Sequence, residues 1–339
     1  MNDTSMQVAS IIVEPKTGKI VALIGGKDYS MTQYNRASLS KRQVGSTIKP
    51  FLYYSALENG FTASSTFLSE KTTFNIGDNL YSPSNANNLY ANKNITMLLA
   101  IAYSDNIYAM KTHLFLGENT LSELGKRVKI KEPIKQVASS ALGTSEINMI
   151  DYSNGYIILA NEGKYNKPHL IEKVQDNKGN IIYEYDYKEE NILDSKNVFI
   201  LNNLLTSTYD YSLVSYTSPT LLSISSLLDS KYAVKSGSTQ FDYWTIGYNP
   251  DYLVMVWTGN DDNSKVEAKD SKIAKKIWAN TIINLPNNTK SWYEIPEDIT
   301  MDTIDPFTGE SKIKGHICYY KNGSEPSYNK VDFYEKISQ

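Results

Sequence analysis

Apolar runs with strand character sit near both ends of this chain, and the stretch between them has helical periodicity. Val8–Val13 and Ile20–Ile24 flank the turn chemistry of Glu14-Pro15-Lys16-Thr17-Gly18 and predict a β-hairpin ending at Gly25-Gly26. Far downstream, Tyr232–Val234 leads into Lys235-Ser236-Gly237-Ser238-Thr239. Two more strands, Tyr243–Tyr248 and Leu253–Gly259, follow around the turn Asn249-Pro250-Asp251. Between these groups the spacing predicts a helix from near Ser46 to Glu58 with Pro50 in its first turn. Further helices are expected over 95–103, 107–116, 149–161 and 197–207. A last one, over 271–285, has Asp270 available as its N-cap. Residues 170–186 alternate enough for a second hairpin, 61–93 are loop-rich, and 208–230 show no clear period. Strands from the two ends bury their apolar faces together by joining one sheet. The expected fold is therefore α+β, an antiparallel β-sheet flanked by helices with a mainly helical subdomain. A chain of 339 residues is too long for one minimal core, so a main domain over 1–285 and a β-rich C-terminal appendage over 286–339 are expected.

Composition removes several function classes. With 34 Lys and Arg against 37 Asp and Glu, the chain has no basic footprint for nucleic acid or for an anionic membrane surface. A single cysteine, Cys318, excludes an internal disulfide. The three histidines, His113, His169 and His316, are scattered, so no metal-ligand set and no histidine base with a local signature is visible. No metal or organic cofactor is expected. There is no apolar run of about 18 residues and no signal peptide, because Met1 is followed by Asn2-Asp3-Thr4-Ser5. Either the protein is cytoplasmic or an anchoring region lies outside this chain.

Three short motifs carry chemistry that fits together. In Ser46-Thr47-Ile48-Lys49, positions i and i+3 share a helix face, which puts the Lys49 amine beside the Ser46 hydroxyl. A serine hydroxyl needs a base, and an ammonium cannot accept a proton, so Lys49 must be neutral, which burial and a second nearby cation favour. A helix start at Ser46 also directs free N–H groups toward a developing oxyanion. Ser104-Asp105-Asn106 lies between two helices; Ser104 is placed to relay a proton and Asn106 to orient Lys49 and the substrate. The same three residue types are also what an ordinary helix-capping turn contains. In Lys235-Ser236-Gly237-Ser238, the glycine lets a substrate approach the strand, the lysine is the second cation, and the hydroxyls suit a carboxylate.

The order Ser-x-x-Lys, Ser-x-Asn, Lys-[Ser/Thr]-Gly is the signature set of penicillin-binding proteins and serine β-lactamases. The flanks Thr17–Tyr29, Asn35-Arg36-Ala37, Arg42–Pro50, Leu142–Glu146, Ala160–Gly163, Trp244–Tyr248, Val256–Asp262 and Asn322–Pro326 make the chain resemble the transpeptidase domain of class A (bifunctional) penicillin-binding proteins. That resemblance implies a serine-type D,D-transpeptidase that cross-links peptidoglycan stem peptides ending in D-Ala-D-Ala and is acylated by β-lactams. It implies Ser46 as nucleophile, Lys49 as base, Ser104 as proton relay, Asn106 as orienting amide and Lys235 as second cation. Ser236, Gly237, Ser238 and Thr239 are the implied substrate-binding residues, and the backbone N–H groups of Ser46 and Ser238 the implied oxyanion hole. It also implies work on the extracytoplasmic face of a bacterial membrane, anchored by a region not in this chain. Serines 236 and 238 replace the family's usual threonines, and Val234 stands where glycine is common. A D,D-carboxypeptidase or a serine β-lactamase on the same fold is the neighbouring alternative, although Glu132 and Glu146 lack the flanks of a deacylating omega loop. A non-enzymatic β-lactam sensor or scaffold is the alternative of another class.

Overall fold

The computed structural model of the protein describes residues 6–77, 79–266 and 268–326. Five strands form the main sheet: β1 (Gln7–Glu14), β2 (Lys19–Ile24), β3 (Ala233–Ser238), β4 (Asp242–Tyr248) and β5 (Leu253–Gly259). Their order is β3-β4-β5-β1-β2, antiparallel throughout, so the two chain ends meet where β1 lies on β5 from Gln7↔Gly259 to Val13↔Leu253. Both faces are covered. Ile11, Val13, Met255 and Trp257 join the larger core, while Ile12, Val254 and Val256 join a smaller one around Trp278. Cover on both faces explains why these strands read as continuous apolar runs.

Seven helices are used below: α1 (Lys49–Glu58), α2 (Met97–Tyr103), α3 (Asn106–Leu116), α4 (Thr120–Arg127), α5 (Met149–Ala160), α6 (Ser195–Thr206) and α7 (Ile273–Ile283). Helix α1 is buried from Lys49 to Leu57 and packs against α3, α4 and α6, which is why it has no polar stripe. It begins after a 3₁₀ turn over Gly45–Ile48, with Pro50 in its first turn, where its missing N–H costs nothing. The last helix departs from expectation. A 3₁₀ turn over Ala268–Lys272 takes in Asp270, and Lys272 is the N-cap, with no side-chain cap hydrogen bond.

The patternless segment 208–230 is built from 3₁₀ turns, Ser207–Tyr209, Tyr211–Leu213 and Leu222–Leu227, whose i to i+3 bonding leaves no 3.6-residue signal. The C-terminal strands β6 (Ile299–Ile304) and β7 (His316–Lys321) pair as a hairpin. Ile304, Cys318 and Tyr320 enter the larger core, and Tyr293 donates to Ala160 O at 2.9 Å, so residues 286–326 lie against the helical block. Residues 327–339 of the expected appendage fall outside the described residues.

Candidate active site

The three motifs converge at the junction of the helical block and the free edge of the sheet. The second motif is both a capping turn and a site. Ser104 ends α2 in the left-handed conformation (φ 55°), and Asp105 caps α3 by accepting from Tyr108 N at 2.8 Å. This sharp reversal projects Ser104 and Asn106 toward α1.

Lys49 is fully buried, and its Nζ donates to Ser104 O (2.8 Å), Ser104 Oγ (3.3 Å), Asp105 O (3.2 Å) and Asn106 Oδ1 (2.7 Å). Burial lowers its pKa to about 7, against the opposing pull of the Asp105 carboxylate. Lys235, 1% exposed on β3, donates to Ser104 Oγ at 2.9 Å and to Ser236 O at 2.7 Å. Burial first, then the charges of Lys49 and Lys275, push its pKa well below the ordinary lysine value. One hydroxyl oxygen thus bridges two buried amines, and two cations so close disfavour each other. Ser46 is half-buried one helical turn before Lys49, whose backbone N–H bonds to Ser46 O. The expected side-chain bond between the two is not made here. The Lys49 amine is turned to the second motif, and the Ser46 hydroxyl has no hydrogen-bond partner among the described residues.

Gly237 is where β3 meets the turn carrying Ser46. A Cβ there would lie 2.8 Å from Val44 O and 3.0 Å from Thr47 N, so only glycine permits the approach. On β3, Thr239 N bonds to Asp242 O at 2.9 Å. By antiparallel alternation, Ser238 and Ser236 therefore turn their N–H and C=O groups away from β4. Consistently, Val234 O, in the same phase, accepts from Thr208 Oγ1 at 3.0 Å outside the sheet. A Cβ on Gly45 would sit 3.1 Å from Ser238 N, so this amide lies beside the Ser46 turn. Ser236 is buried and Ser238 exposed. Val234 packs in the smaller core with Trp278, away from the cleft. The Thr239 hydroxyl is engaged within the protein. Its Oγ1 donates to Asp242 Oδ2 (3.0 Å) and accepts from the Phe241 and Asp242 N–H groups (3.1 and 3.0 Å), closing the β3–β4 turn.

Sequence reasoning missed the support behind the second motif. Asn85 accepts from Asn106 N and donates to Asp105 Oδ2, both at 2.7 Å, and Ser69 Oγ donates to the same carboxylate oxygen at 2.5 Å. Asn106 Nδ2 in turn donates to Ser84 O at 2.7 Å. Asn85 sits in the Asn-rich stretch 85–88, where nothing local separates it from its neighbours. Replacing Asn85 by alanine strips two bonds from a buried charged network. It is expected to lower unfolding stability by about 2 kcal/mol, read from the denaturant midpoint, and to slow covalent labelling of the site.

Among the described residues, no group of three or more His, Cys, Asp or Glu side chains could hold a metal ion, and no helix is long and apolar enough to cross a membrane. The family model described as penicillin binding protein transpeptidase domain matches residues 8–283. Penicillin-binding protein 2D of Bacillus subtilis is 41% identical over 332 residues, covering 96% of this chain and 48% of the relative. Penicillin-binding protein 1A of Aquifex aeolicus is 28% identical, covering 93% of this chain and 44% of that protein. The chain thus spans about half the length of these relatives. In structure it is similar to penicillin-binding protein 1A from Haemophilus influenzae (TM-score 0.88, 23% identity, 96% of this chain and 55% of that one). It is also similar to PonA1 from Mycobacterium tuberculosis in complex with penicillin V (TM-score 0.71, 19% identity, 92% and 84%). These matches cover the sheet, the helical block and all three motifs, and the chain belongs to the penicillin-binding protein transpeptidase family.

Proposed function

We propose that this chain is a serine D,D-transpeptidase, with Ser46 as the nucleophile, that cross-links peptidoglycan stem peptides ending in D-Ala-D-Ala. The observation that carries the reading is the Ser104 hydroxyl held between Lys49 and Lys235. Ser46 Oγ attacks the penultimate D-Ala carbonyl as Lys49 Nζ takes its proton. The oxyanion is received by the N–H groups of Ser46 and Ser238. The proton passes through Ser104, flanked by Lys235, to the leaving D-Ala nitrogen, and free D-Ala departs. An amine of a neighbouring stem then attacks the ester, giving a new peptide bond and returning the proton to Ser46. Lys235 with the Ser236 and Ser238 hydroxyls suits the donor's terminal carboxylate, and Asn106 orients Lys49 through its amide oxygen. A β-lactam acylates Ser46 by the same first step.

The class of enzyme follows from the family; the complexed penicillin V of the PonA1 structure supports the β-lactam reading. Against the lactamase alternative, the Glu132 carboxylate is taken by Lys41 at 2.9 Å. Membership of the penicillin-binding protein transpeptidase family supports work on the cell wall, at the extracytoplasmic face of the membrane.

Lys49 must be neutral to act, and its pKa is lowered to about 7. The rate of acylation by benzylpenicillin is therefore expected to rise as pH increases through about 7 and to level off above it. Stopped-flow acylation from pH 5.5 to 9 checks this; a rate that falls across that window would sink the lysine-base reading.

A further inference from the structure

We propose that the Asp105 carboxylate is a positioning residue for acylation: its negative charge, buried behind the second motif, holds the Lys49 amine at a basicity suited to neutral pH. This rests on the function proposed above, in which Lys49 is the base.

Asp105 is 2% exposed, and both of its carboxylate oxygens are bound inside the protein. Oδ1 makes the helix cap with Tyr108 N, while Oδ2 accepts from Ser69 Oγ and Asn85 Nδ2. A cap needs one oxygen, which serine or asparagine supplies as well as aspartate does. A second oxygen bound by two further donors, with no proton given in return, is the pattern of an ionised carboxylate. The donors are all neutral, and no Lys, Arg or His among the described residues makes an ion pair with Asp105. A charge taken out of water needs an opposite charge near it. The Lys49 amine is that charge. Its Nζ lies 3.2 Å from the backbone O of Asp105, and the oxygens around it (Ser104 O, Ser104 Oγ, Asp105 O and Asn106 Oδ1) are the surroundings of an ammonium.

The other titratable groups around this pair are neutral or cationic. Tyr53 comes from α1, Tyr108 from α3 and Tyr216 from the segment 208–230. Burial pushes all three phenols up, so they stay neutral where Lys49 titrates. Lys235 comes from β3, joined to Lys49 through Ser104 Oγ, and Lys275 of α7 acts on Lys235 in turn. Among the described residues, Asp105 is the one carboxylate whose charge acts on Lys49. Burial lowers both site lysines. For Lys49 the carboxylate opposes it and the fall stops at about 7, whereas for Lys235 the charges of Lys49 and Lys275 add to it. That brake matters, because a general base works best when its pKa lies near the working pH.

The test is the pH dependence of acylation by benzylpenicillin, followed by stopped flow from pH 5 to 9, with circular dichroism to report the fold. Asp105→Asn keeps the cap and removes the charge. Its rise is expected about one pH unit below that of wild type, so at pH 6 it reaches a roughly fivefold larger fraction of its own plateau. The plateau itself falls, because the base is weaker. Asp105→Ser, a second cap without charge, should move the rise the same way. Asp105→Glu keeps the charge and should keep the wild-type midpoint even where its rate is lower. Ser69→Ala removes a neutral donor from the same carboxylate, so it should slow acylation without moving the midpoint. A midpoint that stays in place or rises in the charge-free variants overturns the role, as does an equal displacement in Ser69→Ala. A purely structural aspartate would change the rates and leave the pH of the rise alone. Failure of the underlying reading shows separately, as wild-type protein that forms no penicillin adduct or whose rate does not rise with pH.

Discussion

Lys49→Met is expected to slow acylation of Ser46 by benzylpenicillin about 10³-fold, the scale of a lost general base. Methionine is unbranched like lysine, one atom shorter, and suits a buried position, so the fold is expected to survive. The change leaves Ser104 O, Asp105 O and Asn106 Oδ1 without the donor they now share, but it also removes a buried amine whose charged form burial opposes. It takes one repelling charge from Lys235, whose pKa then moves back up toward the ordinary lysine value. The residual rate should accordingly lose its rise through about pH 7, which belongs to Lys49. Circular dichroism reports the fold and stopped-flow the acylation. A folded variant acylated within tenfold of wild type would remove Lys49 as the base.

Gly237→Val should reduce acylation about 100-fold, because misplacing reacting groups by an ångström costs that much. The added Cβ lands 2.8 Å from Val44 O, 2.9 Å from Thr47 Cγ2 and 3.0 Å from Thr47 N, two of them backbone atoms of the turn that holds Ser46. Either β3 or that turn must shift, separating Ser238 N–H from Ser46 N–H and drawing Lys235 from Ser104. Overpacking of this kind also costs about 1–3 kcal/mol of stability. Gly237→Ala should show a smaller loss in the same direction. Acylation of both variants at the wild-type rate would mean that the strand does not hold the cleft at this distance.

The sheet was legible because its strands are buried on both faces, so the runs at 8–13 and 253–259 stand out without any knowledge of their pairing. The motifs were legible because their residue types, taken in this order, match the signature set of penicillin-binding proteins and serine β-lactamases. Neither kind of signal reaches the loops. Asn85 and Ser69 act through contacts with Asp105 that only the fold creates. Thr239 follows the third motif directly, yet its hydroxyl serves a turn, because the carboxylate of Asp242 lies three residues on. The segment 208–230 stays silent for another reason: its 3₁₀ turns have no apolar period, and Thr208 and Tyr209 work by bonding the backbone of Val234 on β3 and of Tyr232 just before it.

The Ser46 to Lys49 pairing was legible only in part. Their spacing places them one turn apart, while burial and the second motif decide where the amine points. A short rotation of Lys49 Nζ toward Ser46 on substrate entry is consistent with hydrogen bonds that tighten only in the reacting complex.

Wild-type protein incubated with a fluorescent penicillin, digested and mapped by mass spectrometry offers the most direct check on a hydroxyl that becomes an ester. The adduct is predicted on the peptide containing Ser46, and none is predicted on Ser46→Ala. Label carried by any other residue, or undiminished label on Ser46→Ala, would contradict the account.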